Sequence, residues 1–314
     1  MKPEQFNAAR AAVAAALHTV PATPANAARI MRAAGAALVA HGLPAVRTLG
    51  GVNHSSKTAK GAALLVDQYT AYLAPFNSAG GPTVCPDASP GCIASCLTGS
   101  GRASFDAKIP AARVARTVLY FASRPHFTAV LIREIEKGAA RAARTGSQYF
   151  ARINGTSDIS PRAFKYEGRD ILQLLPGVSF FDYSKVWGRA SIDYGPNYSL
   201  CLSWTDGRTW ADAAREVLAH GRPLAVPFAD MGANGRPKVA RVASLPDRFG
   251  RVDADGRELF SVPVIDGDKF DARPLDRTEG GAPAQGAYIV GLRAKRTTPE
   301  GERAALASGF FVPI

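Results

Sequence analysis

Apolar positions recur with helical spacing in four stretches of the chain. Residues 4–18 and 24–41 are alanine-rich, and alanine is the strongest helix former; Pro21 and Pro24 separate the pair and Gly42 ends the second. Residues 110–123 and 125–145 read as two more helices. In the second, Phe127, Val130, Leu131, Glu134 and Ile135 follow the i, i+3, i+4, i+7, i+8 pattern of one buried stripe. Short runs with strand character fall at 63–74, 148–153, 178–182, 198–204, 223–228, 260–265 and 287–293. Helical segments are expected near 161–175, 186–194 and 208–220, and a loop or hairpin over 231–258.

Strands alternating with helices imply parallel β/α units. The expected fold is α/β, a partial or full (β/α) barrel over residues 45–314, with a helical extension over 1–44. In such barrels chemistry sits past the C-terminal ends of the strands. Polar residues cluster at those places: Asn154, Ser157 and Asp158 after one strand, Asp182 and Lys185 after the next, Ser203 and Asp230 after two more. Asp158, Asp182 and Lys185 are the candidate catalytic groups, for proton transfer or binding. Asn154 and Ser157 are candidates to orient a ligand. Asp158 could equally cap a following helix, because short polar side chains accept free amide hydrogens there. Upstream, the polar loop Gly50–Gly61 lacks the spacing of a Walker loop but offers Asn53 and Lys57 to a cofactor or an anion.

Cysteine placement changes the picture most. Three of the four cysteines, Cys85, Cys92 and Cys96, fall in the run Cys-x6-Cys-x3-Cys directly after the first predicted strand of the core. Soft thiolates select zinc, copper(I) or iron–sulfur clusters. Three thiolates can hold three corners of a [4Fe–4S] cubane and leave one iron open. A structural zinc needs four ligands, usually as two short pairs, and the second pair is missing here. The favoured reading is a [4Fe–4S] cluster on Cys85, Cys92 and Cys96. Zinc with a distant fourth ligand, His126 or Cys201, is the alternative metal. A disulfide framework belongs to small secreted domains, and this chain is neither short nor visibly secreted.

The formal net charge is +12 over 314 residues. That excess favours anionic partners such as nucleotides or nucleic acid, although no RRM, zinc-finger or helix-turn-helix signature accompanies it. No apolar run reaches the length of a membrane span, and the N-terminal segment lacks the apolar core of a secretory signal. A cytoplasmic, reduced protein with no membrane partner is expected.

The ordered motifs resemble a known family. They are Asn53…Lys57-Thr58…Lys60-Gly61, Tyr72-Leu73-Ala74-Pro75, Cys85-Pro86…Gly91-Cys92…Cys96-Leu97, Gly101-Arg102, Arg113…Arg116-Thr117, Asn154-Gly155-Thr156-Ser157-Asp158, Phe181-Asp182-Tyr183-Ser184-Lys185 and Asn197-Tyr198. Together they resemble the phage gene product 88 family over roughly residues 48–205. The resemblance implies a phage or prophage origin, hence the cytoplasm of an infected or lysogenic bacterial host, and it implies no reaction. That family has Leu-Thr or similar where this chain has Leu200-Cys201, which counts against Cys201 as a ligand. A looser likeness is to radical S-adenosylmethionine enzymes, whose three-cysteine loop follows the first strand of a partial β/α barrel. It implies S-adenosylmethionine on the open iron, although their usual spacing is Cys-x3-Cys-x2-Cys. The expectation is therefore an iron–sulfur enzyme acting on a nucleotide or nucleic acid. The alternative is a metal-stabilised nucleic-acid-binding protein without catalysis.

Overall fold

The computed structural model describes residues 1–53, 59, 64–96, 101–231, 237–238, 242–278, 281–295 and 297–314. Lys57 lies outside the described residues. The chain is mixed α/β and divides into two compact units. The first comprises residues 1–86, 102–180 and 194–198; the second comprises 87–101, 181–193 and 199–314.

The first unit carries helices α1 (Pro3–Leu17) and α2 (Ala27–Ala40) and strands β1 (Gly50–Val52) and β2 (Val66–Ala71). After the chain returns at residue 102 come α4 (Lys108–Ala122), α5 (Arg124–Thr145) and β3 (Gln148–Arg152), α3 being a short helix of the second unit described below. The helical stretches expected at 4–18, 24–41, 110–123 and 125–145 are thus present. Residues 1–44 fall inside this unit. Phe6 of α1 is fully buried and meets Phe121 of α4 edge-on, ring centres 6.0 Å apart.

Strand β1 pairs antiparallel with β2, β2 runs parallel to β3, and β3 runs parallel to the opening residues of β6 (Ser179–Ser184). The β2–β3 register sets Asp67 beside Tyr149 and Tyr69 beside Ala151 on one face, and Gln68 beside Phe150 and Thr70 beside Arg152 on the other. Helix α5 covers the first face. Gly138 is what permits it, because a Cβ there would lie 2.3 Å from the Tyr149 hydroxyl.

The helix expected over 161–175 is largely a hairpin, β4 (Lys165–Tyr166) with β5 (Arg169–Asp170), followed by a single turn, α6 (Ile171–Leu174). Glu167 and Gly168 both have positive φ, +49° and +77°, which a helix cannot accommodate. Asn197 closes this region. Its side-chain amide donates to the carbonyls of Leu172 and Leu175 at 3.1 and 3.3 Å, and its main-chain carbonyl accepts from the Phe180 amide.

The second unit carries α3 (Pro90–Ala94), the end of β6, β7 (Tyr198–Ser203, its first residue in the first unit), α7 (Trp210–Glu216), β8 (Leu224–Met231), β9 (Pro237–Lys238), β10 (Arg248–Val252), β11 (Glu258–Asp266), β12 (Ile289–Arg293), α8 (Pro299–Ala307) and β13 (Val312–Pro313). Its ladder runs β7-β8-β12-β11-β10, and β9 and β13 also pair with β8. The loop or hairpin expected over 231–258 resolves partly into β10, antiparallel to β11. Strand β12 inserts between β8 and β11, parallel to both.

That order is not the sequential order of a (β/α) barrel, in which each strand pairs with its predecessor. No pairing that closes a barrel exists among the described residues. The β/α alternation and parallel strands are present; what breaks the sequence-based order is β12, whose apolar run Ile289-Val290 is fully buried. Helix α8 had no strong apolar signal. It starts at Thr298, whose hydroxyl accepts from the Gly301 amide, with Pro299 at the first helical position.

Candidate thiol site and its supports

All four cysteines are reduced thiols. Cys85 is half-buried at the end of the segment that follows β2 in the first unit. Its sulfur accepts the Phe76 amide hydrogen at 3.3 Å and donates to the Thr156 carbonyl at 3.7 Å. The Asn154–Asp158 loop after β3 is therefore packed directly against it.

That loop is held by its own polar groups. The Asn154 carbonyl oxygen accepts from the Ser157 hydroxyl at 2.8 Å and from the Ile159 amide at 2.9 Å, and its amide nitrogen donates to the Ile159 carbonyl at 2.9 Å. Thr156 donates to the Leu73 carbonyl, Gly155 to that of Ala71, and the Asp158 amide to that of Val84. Asn154, Ser157 and Asp158 are all buried. Cys85 thus meets this loop, and the side chains of Asn154 and Ser157 are occupied in shaping it.

Gly155 is required by space. A Cβ there would sit 2.6 Å from the Ala71 carbonyl oxygen and 2.6 Å from the Tyr72 ring. Gly155→Ala is expected to destabilise the protein by about 2 kcal/mol through overpacking. The displaced loop also exposes its neighbouring thiol, so Cys85 should react faster with an alkylating reagent, read by mass spectrometry of the labelled peptide.

Several motif residues turn out to hold the fold. Thr117 on α4 accepts from the Ala74 amide at 2.9 Å, Arg116 donates to the Thr48 carbonyl at 2.8 Å, and Arg113 lies over the Tyr72 ring at 5.2 Å. Asn53, in the left-handed region at φ +55°, donates through its side chain to Asp67 at 2.8 Å and accepts from the Gln68 amide at 3.0 Å. It clamps the β1–β2 pair, and the sequence had set it out as a cofactor contact.

Glu134, the one acid on the apolar stripe of α5, sits at the centre of a buried network. Its carboxylate accepts from the amides of Leu49 at 2.9 Å and Gly50 at 3.1 Å and from the Tyr69 hydroxyl at 2.6 Å. Burial raises its pKa above the ordinary value in spite of these donors and of Arg116 nearby, all of which pull the other way. Burial, and then Glu134 itself, push the Tyr69 phenol well up, so it stays a donor.

In the second unit, Cys92 and Cys96 lie on and just after α3. Ser89 caps this helix, accepting from the Cys92 amide at 3.3 Å. Asp206, buried just past β7, receives the Ser89 hydroxyl on one oxygen and the Gly91 amide at 2.8 Å on the other. Helix α8 packs against α3 so closely that a Cβ on Gly301 would lie 2.2 Å from the Ala94 carbonyl. Asp206 carried no distinct signal in the sequence beyond its place after a strand.

Asp182 is buried on β6. Lys185 donates to the Trp204 carbonyl at 3.0 Å and lies over the Phe310 ring at 4.8 Å. The two alternative fourth ligands, His126 and Cys201, each have a place in the fold. His126 bonds through one ring nitrogen to Ser123 and through the other to the Val20 carbonyl, both at 2.6 Å, tying α5 to the segment after α1. Cys201 is buried in an apolar cluster with Ala225, Tyr288 and Val290.

The chemistry of three reduced thiols in one short stretch suits a soft metal. Among the described residues no group of three or more His, Cys, Asp and Glu side chains is set to hold a metal ion. Among the described residues, too, no helix is long and apolar enough to cross a membrane.

No curated protein and no solved structure matches this chain. Nothing in the comparisons supports the likeness to radical S-adenosylmethionine enzymes. The family model described as gene product 88 matches residues 47–309, past the end of the motifs that suggested it and over most of the second unit. With the cysteine run, the Asn154–Asp158 loop and the Asn197 clamp all inside that match, the chain belongs to the gene product 88 family.

Proposed function

We propose that this protein is a thiolate metalloprotein, an iron–sulfur enzyme that acts on a nucleotide or nucleic acid, with Cys85, Cys92 and Cys96 as the ligands of a [4Fe–4S] cluster. The observation that supports it best is Cys85 itself. It is a reduced thiol whose sulfur accepts a backbone amide hydrogen from Phe76 and donates to the Thr156 carbonyl, so it is already held in place by the backbone. Beside it stands the buried polar loop Asn154–Asp158.

A cluster with three protein thiolates would supply one-electron chemistry at its open iron, to S-adenosylmethionine or to the substrate itself. The chain's part is to supply the sulfurs and to hold the Asn154–Asp158 loop against the first of them. Asp158, Asp182 and Lys185 are the groups proposed to bind or move protons.

A second reading keeps the same thiols on a structural metal, zinc or a cluster, in a protein that binds nucleic acid without catalysis. The net charge of +12 favours it. Metal analysis of anaerobically purified protein tests both. Iron and sulfide in cluster stoichiometry, with a broad absorbance that is lost in the Cys85→Ser variant, supports the first reading. A colourless protein with one zinc per chain supports the second. A metal-free protein, or one whose metal content is unchanged by replacing all three cysteines, defeats both.

A further inference from the structure

The positive charge is not spread over the molecule. The first unit holds 20 Lys and Arg against 8 Asp and Glu, a net +12; the second holds 18 against 18, a net of zero. The whole excess belongs to one unit.

Within it, α5 concentrates the charge. Arg133, Lys137, Arg141 and Arg144 are all exposed. Their spacing of four, four and three residues puts them in one row along the helix, about 16 Å long at 1.5 Å per residue. Of the helix's two acids, Glu134 is turned inward to Leu49, Gly50 and Tyr69, and Glu136 lies 3.8 Å from Arg133 as an exposed pair of the weakest kind. No carboxylate among the described residues is within ion-pair reach of Lys137, Arg141 or Arg144. Like charges four apart on a helix repel one another, so this row destabilises its own helix unless an anion lies along it.

We propose that the exposed face of α5 binds the phosphate backbone of nucleic acid through Arg133, Lys137, Arg141 and Arg144. An anionic lipid surface fits less well. Helices that lie on membranes place an apolar face in the lipid, and here Phe127, Val130, Leu131 and Ile135 are buried in the unit's own core. The contacts are to phosphates and carry no base sequence, so binding is strong at low salt and largely indifferent to sequence. The inference stands apart from the thiol site, since no cysteine takes part in it.

The test uses the full chain and labelled DNA oligonucleotides, single-stranded and duplex, followed by fluorescence anisotropy from about 50 to about 200 mM KCl. The variant R133Q/K137Q/R141Q/R144Q keeps good helix formers on the surface. Its slope of log K against log salt is expected to flatten by about 3 on either oligonucleotide, with affinity at the lowest salt falling on the order of a hundredfold. The control variant R257Q/K269Q/R277Q/R303Q removes the same charge from the neutral unit and should change affinity by less than about threefold. Equal losses in both variants overturn the proposal, as does an absence of DNA binding by the parent, or binding only to phosphatidylserine vesicles. Replacing Cys85, Cys92 and Cys96 with serine should leave DNA affinity as it was, so failure of the metal proposal and failure of this one are told apart.

Discussion

Glu134→Ala is expected to lower the stability of the folded chain by about 4 kcal/mol. The substitution leaves the amides of Leu49 and Gly50 and the Tyr69 hydroxyl without their acceptor in a buried site, and each such group costs about 1–3 kcal/mol. Burial already lowers the pKa of the Arg116 guanidinium, and loss of Glu134 removes one of the charges that counter the effect. Glu134→Gln keeps one acceptor and should cost roughly half as much. Urea unfolding of the three proteins measures this directly.

The same residue predicts a pH dependence with a definite sign. Its folded-state pKa is raised, so the folded protein binds the proton more tightly than the unfolded chain does. The stability it contributes is therefore complete below its ordinary value near 4.5 and is lost as pH rises through the folded value. The wild-type advantage over Glu134→Gln should shrink across that interval. An advantage that grows with pH would show that the donors and Arg116 outweigh burial.

Asp206→Ala has the largest effect expected on the cysteine helix. One carboxylate holds both the capping Ser89 hydroxyl and the Gly91 amide. Hydrogen bonds to a buried charged acceptor are worth more than neutral ones, so the loss is expected to be about 3 kcal/mol. The effect is local as well as global: without its cap, α3 frays, and Cys92 and Cys96 should be alkylated many times faster than in the parent. If the metal proposal holds, this variant loses its metal on dilution while all three thiols remain. Asp206→Asn keeps one of the two acceptors and should lie between. A variant with parent-like thiol reactivity would show that packing against α8, through Gly91 and Gly301, is enough to hold the helix.

The motifs shared with the gene product 88 family divide by physical role once the coordinates are known. Thr117, Arg116 and Asn197 satisfy backbone groups at chain reversals, and Gly155 lets one strand end approach another. A sequence motif marks all of these no differently from a ligand. Glu134 was visible in a weaker way: a glutamate on an apolar stripe implies buried partners, because an unpaired carboxylate there is too costly. Which partners these were could not be inferred, since Leu49 and Gly50 lie some 85 residues away in the chain.

The amino-acid pattern alone determined the long helices and most strands, because side-chain periodicity and the prolines and glycines around it act within a few residues. It also determined the cysteine run and the total charge, which are properties of composition and spacing. Only the tertiary structure decided that β12 enters between β8 and β11, that Cys85 meets the Asn154–Asp158 loop, that Asp206 anchors α3, and that the entire positive excess lies in one unit. These depend on which distant segments pair. Hydrogen bonds and burial across tens of residues settle that choice, and no local pattern encodes it.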